Sequence, residues 1–191
     1  MKLLLSDTPL TVSLKTENEM YIDLSALKIS NCVGCFGCWT KTPGKCVIRD
    51  DAVKVYPIIA DSEKIIYVSH IKYGSYDTVM KTMLERAIPI QQAFIRLYHG
   101  ETHHIQRAVK EKEAVIVAYG DVSEEEKALF RRLVERNANN MLFRSHQIRF
   151  VAETELETAV KKEVAVWAVP DFLGWGGLQI QCDSQKTCGN L

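Results

Sequence analysis

Four cysteines, Cys32, Cys35, Cys38 and Cys46, lie within fifteen residues of the stretch "NCVGCFGCWTKTPGKCVIRDD", spaced C-x2-C-x2-C-x7-C. Three thiolates at the first two spacings can wrap one corner of a 4Fe-4S cluster. A fourth, brought back by the Pro43-Gly44 turn, completes the four-cysteine set that such clusters use. Soft thiolates suit iron–sulfur or zinc alike, and the same residues could equally stand as reduced free thiols. Cys182 and Cys188 are a weaker pair in a C-terminal tail. His103 and His104 are adjacent, so on a regular element they point apart, and no third ligand accompanies them. His70 is better placed for chemistry because it closes the apolar run "KIIYVSH".

The rest of the chain must position these groups. With 191 residues and 47% hydrophobic content it can bury one substantial core, read as a domain over residues 1–170 and a tail over 171–191. Lys and Arg balance Asp and Glu at 24 each, without a basic run, which removes nucleic acid as a partner. "MKLLLSDTPL" is too short in leucines for a signal-peptide core, and no apolar run approaches a membrane span. The expected setting is soluble and cytoplasmic, without a membrane partner. In that reducing compartment clustered thiols bind metal or do redox chemistry more often than they form permanent disulfides.

Hydrophobic periodicity supplies the elements. "KLLLSD" and "NEMYIDLS" read as strands, followed after the cysteines by a helix over "DAVKVYPIIADS", which Pro57 should kink or cut short. "KIIYVSH" is a buried strand ending at Ser69 and His70. The pairs Val79/Met80, Met83/Leu84 and Ala87/Ile88 then mark a helix. "GETHHIQRAVKEKE" reads as a polar connection and "AVIVAYG" as a strand. In the helix that follows, Ser123 and Glu126 form a capping box, and Ala128, Leu129, Leu133 and Val134 form the apolar stripe. "HQIRFVAE" and "EVAVWAVP" are further strand candidates. Alternating strands and helices predict an α/β, flavodoxin-like three-layer fold with a parallel sheet. Ligands of such sheets lie beyond the carboxyl ends of the strands, here "SDTPLT", "SHIKYGS" and "AYGDVS".

The segments "CVGCFGCWTKTPGKCVIRDD", "SHIKYGSYDTVMKTMLERA" and "GETHHIQR" resemble the flavodoxin-fold NAD(P)H-dependent FMN reductases and their iron-sulfur flavoprotein relatives. The resemblance implies FMN as cofactor. It also implies NAD(P)H or an electron-transfer partner, a homo-oligomer, and a turn against the flavin ring formed by Ser69, His70, Ile71, Lys72, Tyr73 and Gly74. His70 stands where the family has proline and Lys72 where it has tyrosine, so ring stacking falls to Tyr73 or Trp39. Tyr119 and Gly120 supply the last wall, where a glycine lets backbone approach a ring closely.

Family members follow the first strand with a phosphate-holding loop and a helix. Between Ser6 and Glu19 there is room for neither, so strands one and two should be joined almost directly and FMN bound only weakly. Residues 88–104 carry Ile88, Ile90, Phe94, Ile95 and Leu97, too apolar for a free loop, and are expected at a subunit contact. Two functions follow: an FMN oxidoreductase or electron-transferring iron-sulfur flavoprotein, or a degenerate flavodoxin-like subunit that binds metal or senses thiol redox state.

Overall fold

The computed structural model describes residues 1–167. The tail over 171–191, with Cys182 and Cys188, lies outside the described residues. Strands β1 (Lys2–Ser6), β2 (Glu19–Asp23), β3 (Lys64–Lys72), β7 (Lys112–Tyr119) and β8 (Phe143–Val151) form a parallel sheet in the order β2-β1-β3-β7-β8. A short β4 (Ser75–Tyr76) pairs antiparallel with the end of β3. This is the doubly wound, flavodoxin-like α/β arrangement.

The central strands are buried on both faces, and their side chains alternate between two cores. Leu3, Leu5, Ile65, Tyr67, Ala114, Ile116 and Ala118 face one core, beneath helices α2 (Ala52–Asp61), α3 (Thr78–Glu85) and α4 (Glu124–Met141). Leu4, Ile66, Val68, Val117 and Tyr119 face the other, beneath α5 (Leu156–Val166). A four-residue α1 (Gly37–Thr40) lies inside the cysteine segment.

No helix forms between β1 and β2. Residues 7–18 return as an extended segment in which Leu10, Val12 and Leu14 pack on the second core while Thr11 and Ser13 are exposed. A period-two ribbon thus covers the sheet where a crossover helix would otherwise lie. It is pinned by Leu10 N–H donating to the Tyr21 hydroxyl at 2.9 Å.

Several elements depart from the sequence reading. Helix α2 runs through Pro57 to Asp61, because Ile59 and Ala60 beyond it are buried against the sheet and offset one missing backbone bond. The stripe on α4 is Phe130, Val134, Ala138 and Met141, whereas Ala128 and Leu129 face outward. Ser123 caps this helix in a full capping box with Glu126. "EVAVWAVP" is not a strand within the described residues: Leu156, Val160 and Val164, spaced four apart, are the buried face of α5. The polar connection is a β-hairpin of β5 (Gln91–Tyr98) and β6 (Glu101–Gln106). Its loop is His99-Gly100, both with positive φ, as a type I′ turn requires. Among the described residues no helix is long and apolar enough to cross a membrane.

Candidate functional site

The carboxyl ends of β1, β3 and β7 meet at Asp7. Its Oδ2 accepts from the Ser69 hydroxyl at 2.9 Å and from the His70 backbone N–H at 2.8 Å, and its Oδ1 accepts from the Tyr119 hydroxyl at 2.9 Å. Burial raises the Asp7 carboxyl above its ordinary value, against the pull of these donors and of the His70 ring. Burial, and then the Asp7 charge, pushes the Tyr119 phenol up, so Tyr119 stays a donor at neutral pH. One carboxylate, placed just beyond β1, therefore satisfies donors of both β3 and β7 at this edge.

β3 does not end at His70. It continues to Lys72 and reverses at Tyr73-Gly74, whose φ values of 54° and 68° form the tight turn into β4. Glycine is favoured at position 74 by its φ of 68°, and a Cβ there would lie 2.6 Å from Leu129 Cδ2. The His70 Nδ1 lies 3.1 Å from Asp77 Oδ2, while Asp77 Oδ1 caps α3 through Thr78 N–H. The His70 ring stands edge-on to Tyr119, and its Nε2 faces Gly120, where a Cβ would approach to 2.8 Å.

Of the residues expected here, Ser69, His70, Tyr119 and Gly120 converge. Ile71 is 4% exposed and its side chain packs in the core. Lys72 and Tyr73 extend into solvent, with the ammonium 5.5 Å from the Tyr73 ring. Trp39 packs elsewhere, between Phe36 and His104, and donates its indole N–H to the Gln91 carbonyl at 3.0 Å. That contact ties the cysteine segment to the β5–β6 hairpin. His103 and His104 do point apart: His103 bonds Glu101 and Asn140, and His104 lies on Trp39.

Cys32, Cys35, Cys38 and Cys46 are free thiols that line one pocket of about 30 Å³, closed by Val33, Phe36, Val47, Ile88 and Pro89 over Arg86. Cys32 and Cys35 are exposed. Burial first, and then the neighbouring Cys46, Cys32 and Cys35, push the Cys38 thiol up. The loop is braced at its Pro43-Gly44 turn by Gly44 N–H donating to the Cys38 carbonyl at 2.9 Å, and at Cys46 N–H by the Tyr56 hydroxyl at 3.1 Å.

Arg86 and Asp50 were not apparent as site residues from the sequence. Arg86 Nη1 and Nη2 clamp the Asp50 carboxylate at 2.6 and 2.9 Å, and Nη2 donates to Cys46 Sγ at 3.4 Å. Despite its burial, Asp50 is held below the usual carboxylate range by Arg86. The local signal was an Asp-Asp pair four residues after Cys46 and an arginine at the C-terminal cap of α3.

The donor chemistry suits a metal–thiolate centre, although among the described residues no three of His, Cys, Asp or Glu stand together in metal-holding geometry. The fit to FMN is uneven. Backbone and ring walls exist at 69–74 and 119–120, but the Ser69 and Tyr119 hydroxyls of β3 and β7 are already taken by the Asp7 carboxylate beyond β1, and no helix N-terminus follows β1.

No family model matches the chain. An iron-sulfur flavoprotein of Archaeoglobus fulgidus is 34% identical over 68 residues, covering 36% of this chain and 30% of the relative. A second iron-sulfur flavoprotein, of Methanocaldococcus jannaschii, is 28% identical over 74 residues, covering 39% of this chain and 37% of the relative. The chain thus spans about a third of the length of these curated relatives. Among solved structures, an FMN-dependent NADH-azoreductase from Bacillus anthracis in complex with FMN superposes with a TM-score of 0.53 at 12% identity, covering 87% of this chain and 96% of that one. A second azoreductase from Bacillus anthracis gives a TM-score of 0.50 at 12% identity, covering 88% and 98%. These superpositions carry the fold, and the partial sequence matches carry the kinship. The chain has the flavodoxin-like α/β fold, and over about a third of its length it is similar in sequence to iron-sulfur flavoproteins.

Proposed function

We propose that the chain is a flavodoxin-like oxidoreductase that moves electrons between a flavin at the carboxyl edge of its sheet and a metal–thiolate centre held by Cys32, Cys35, Cys38 and Cys46. The observation that carries the reading is the convergence of four free thiols on one pocket beside a buried arginine. Four cysteines are the ligand set that iron–sulfur clusters use, and a cluster bound there would supply one-electron storage, although the thiols do not stand in metal-holding geometry in this structure. Ser69, His70, Tyr119 and Gly120 form the wall for the flavin, with NAD(P)H or an electron-transfer protein as the partner. FMN bound there supplies the two-electron to one-electron exchange. Its hold on the isolated chain is weak, because Asp7 occupies the donors beyond β1.

The test is anaerobic purification followed by an ultraviolet-visible spectrum and assays of iron, acid-labile sulfide and zinc per chain. The reading expects broad iron–sulfur absorbance that is lost in Cys35→Ser and Cys46→Ser. Protein without iron and sulfide after reconstitution, or variants that keep full iron and sulfide, would overturn it.

A further inference from the structure

We infer that the carboxyl edge of the sheet excludes a phosphate and takes a flavin in its dephosphorylated form, as riboflavin; the inference rests on the flavin site proposed above. In doubly wound sheets an anion beyond the first strand is held by backbone N–H groups left unpaired at a helix N-terminus or in a tight turn. Residues 7–11, which follow β1, offer no such group. Asp7 N–H donates to the Val68 carbonyl at 3.1 Å, and Thr8 N–H to the Ser6 hydroxyl at 3.3 Å. Pro9 has no N–H. Leu10 N–H donates to the Tyr21 hydroxyl at 2.9 Å, and Thr11 N–H to Glu157 Oε1 at 3.4 Å. Each backbone donor of this stretch is thus turned back into the protein.

The side chains that face the stretch carry charge of the wrong sign for a phosphate. Asp7 takes the Ser69 and Tyr119 hydroxyls and the His70 N–H, so these donors of β3 and β7 are spent on a carboxylate. Glu157 of α5 holds the far end and is itself paired with Lys161 at 2.9 Å. Lys72, the cation of the 69–74 turn, extends into solvent beside Tyr73.

A phosphate brought to this edge would lose water, find no free N–H over residues 7–11 and meet two carboxylates. Riboflavin differs from FMN only in lacking that phosphate, so the walls at 69–74 and 119–120 meet the same ring in both. Its neutral ribityl chain carries hydroxyls, which donate as well as accept, and an edge rich in carboxylate oxygens suits donors. The discrimination therefore falls on the phosphate alone, and it is electrostatic.

The experiment titrates the full-length apo-protein at neutral pH with riboflavin and, separately, with FMN, following flavin fluorescence at low and at high ionic strength. Riboflavin should bind about tenfold more tightly than FMN at low salt. Added salt should narrow that ratio by improving FMN alone, since screening acts on the phosphate and not on the neutral chain. Asp7→Asn should narrow it in the same direction. Glu157→Gln, at a half-exposed side chain of α5, probes the same field if the Asp7 variant does not fold, and the salt series needs no variant at all. FMN binding as tightly as riboflavin or more tightly at low salt would overturn the inference and leave the flavin site standing. So would a preference for riboflavin that neither salt nor either variant moves. A wild-type chain that binds neither flavin up to the solubility limit of riboflavin would instead remove flavin from the proposed function, and this inference with it.

Discussion

Asp7 and Tyr119, separated by 112 positions in the chain, meet at 2.9 Å across the carboxyl ends of β1 and β7, with Ser69 of the intervening β3 bonded to the same carboxylate. A single acidic side chain thus ties three strands at the edge where flavodoxin-like sheets place their ligands.

The raised pKa of Asp7 makes this tie pH-dependent. The folded state holds the Asp7 proton to higher pH than the unfolded state does. The contribution to stability is therefore fully present below the ordinary aspartate value of 3.8, falls as pH rises through the raised folded value, and is level above it. Urea melts of wild type and Asp7→Asn across this range should show the wild type losing ground to the variant as pH rises. A gap that moves the other way would mean that the three hydrogen bonds outweigh burial. Asp7→Ala should cost about 1–3 kcal/mol at neutral pH, because the Ser69 and Tyr119 hydroxyls lose their acceptor.

On the function proposed above, the same carboxylate also sets the affinity for FMN. Charge-assisted hydrogen bonds contribute about 1.5–3 kcal/mol each, so three lost phosphate contacts move a nanomolar site to roughly the micromolar-to-millimolar range. Titrating the apo-protein with FMN and following flavin fluorescence should give such weak binding. Asp7→Asn, which removes the like charge, should tighten it by about tenfold. One-to-one nanomolar binding by the isolated wild-type chain would contradict this account.

Much of the architecture was legible because burial on both faces leaves apolar runs such as Leu3-Leu4-Leu5 and Ile65 to Val68, which only central strands need. The missing first helix was legible too, from the short span between Ser6 and Glu19. The errors arose where two signals compete. Val164 and Val166 favour a strand by propensity, but the four-residue spacing of Leu156, Val160 and Val164 decided for a helix. The β5–β6 hairpin was hidden because His99 is an unusual residue for positive φ, although His-Gly between two six-to-eight-residue runs is a hairpin signal. Arg86 and Asp50 were hidden for a different reason: a buried ion pair between residues 36 positions apart leaves no periodic trace.

The extended cover over the second core can be tested by alternation. Val12→Asp should cost about 1–3 kcal/mol, because it places a charge where apolar surface is buried, whereas Thr11→Asp should be near neutral. Equal effects in denaturant melts would show that residues 7–18 do not pack as described.

At the β3–β4 turn, Gly74→Ala should destabilise by about 1–3 kcal/mol through its left-handed backbone and the contact with Leu129. Leu129 is 44% exposed, so Leu129→Ala alone should be mild. In the double variant the steric part should be recovered and the backbone part should remain. A cycle with zero coupling would locate the cost entirely in the backbone.

The hairpin presents Phe94, Ile95 and Leu97 at 70%, 62% and 77% exposure. We expect a homo-oligomer of this chain to cover them. Static light scattering at micromolar concentration should show wild type larger than a monomer and Phe94→Ser/Leu97→Ser reduced in mass. A monomeric wild type would refute the contact.

The helix-free return from β1 to β2 also bears on the order of folding. Parallel strands ordinarily wait for a long crossover to form, but here the first pair, with Lys2 opposite Glu19, is closed by a short ribbon. Each halving of a loop saves about 0.6 kcal/mol of closure entropy, and a ribbon has no helix to nucleate first. β1 and β2 can therefore pair before β3 arrives from 62 positions along the chain, as the separation of Asp7 and Ser69 records. In this protein the edge of the sheet is poised to act as an early local template on which the more distant strands assemble.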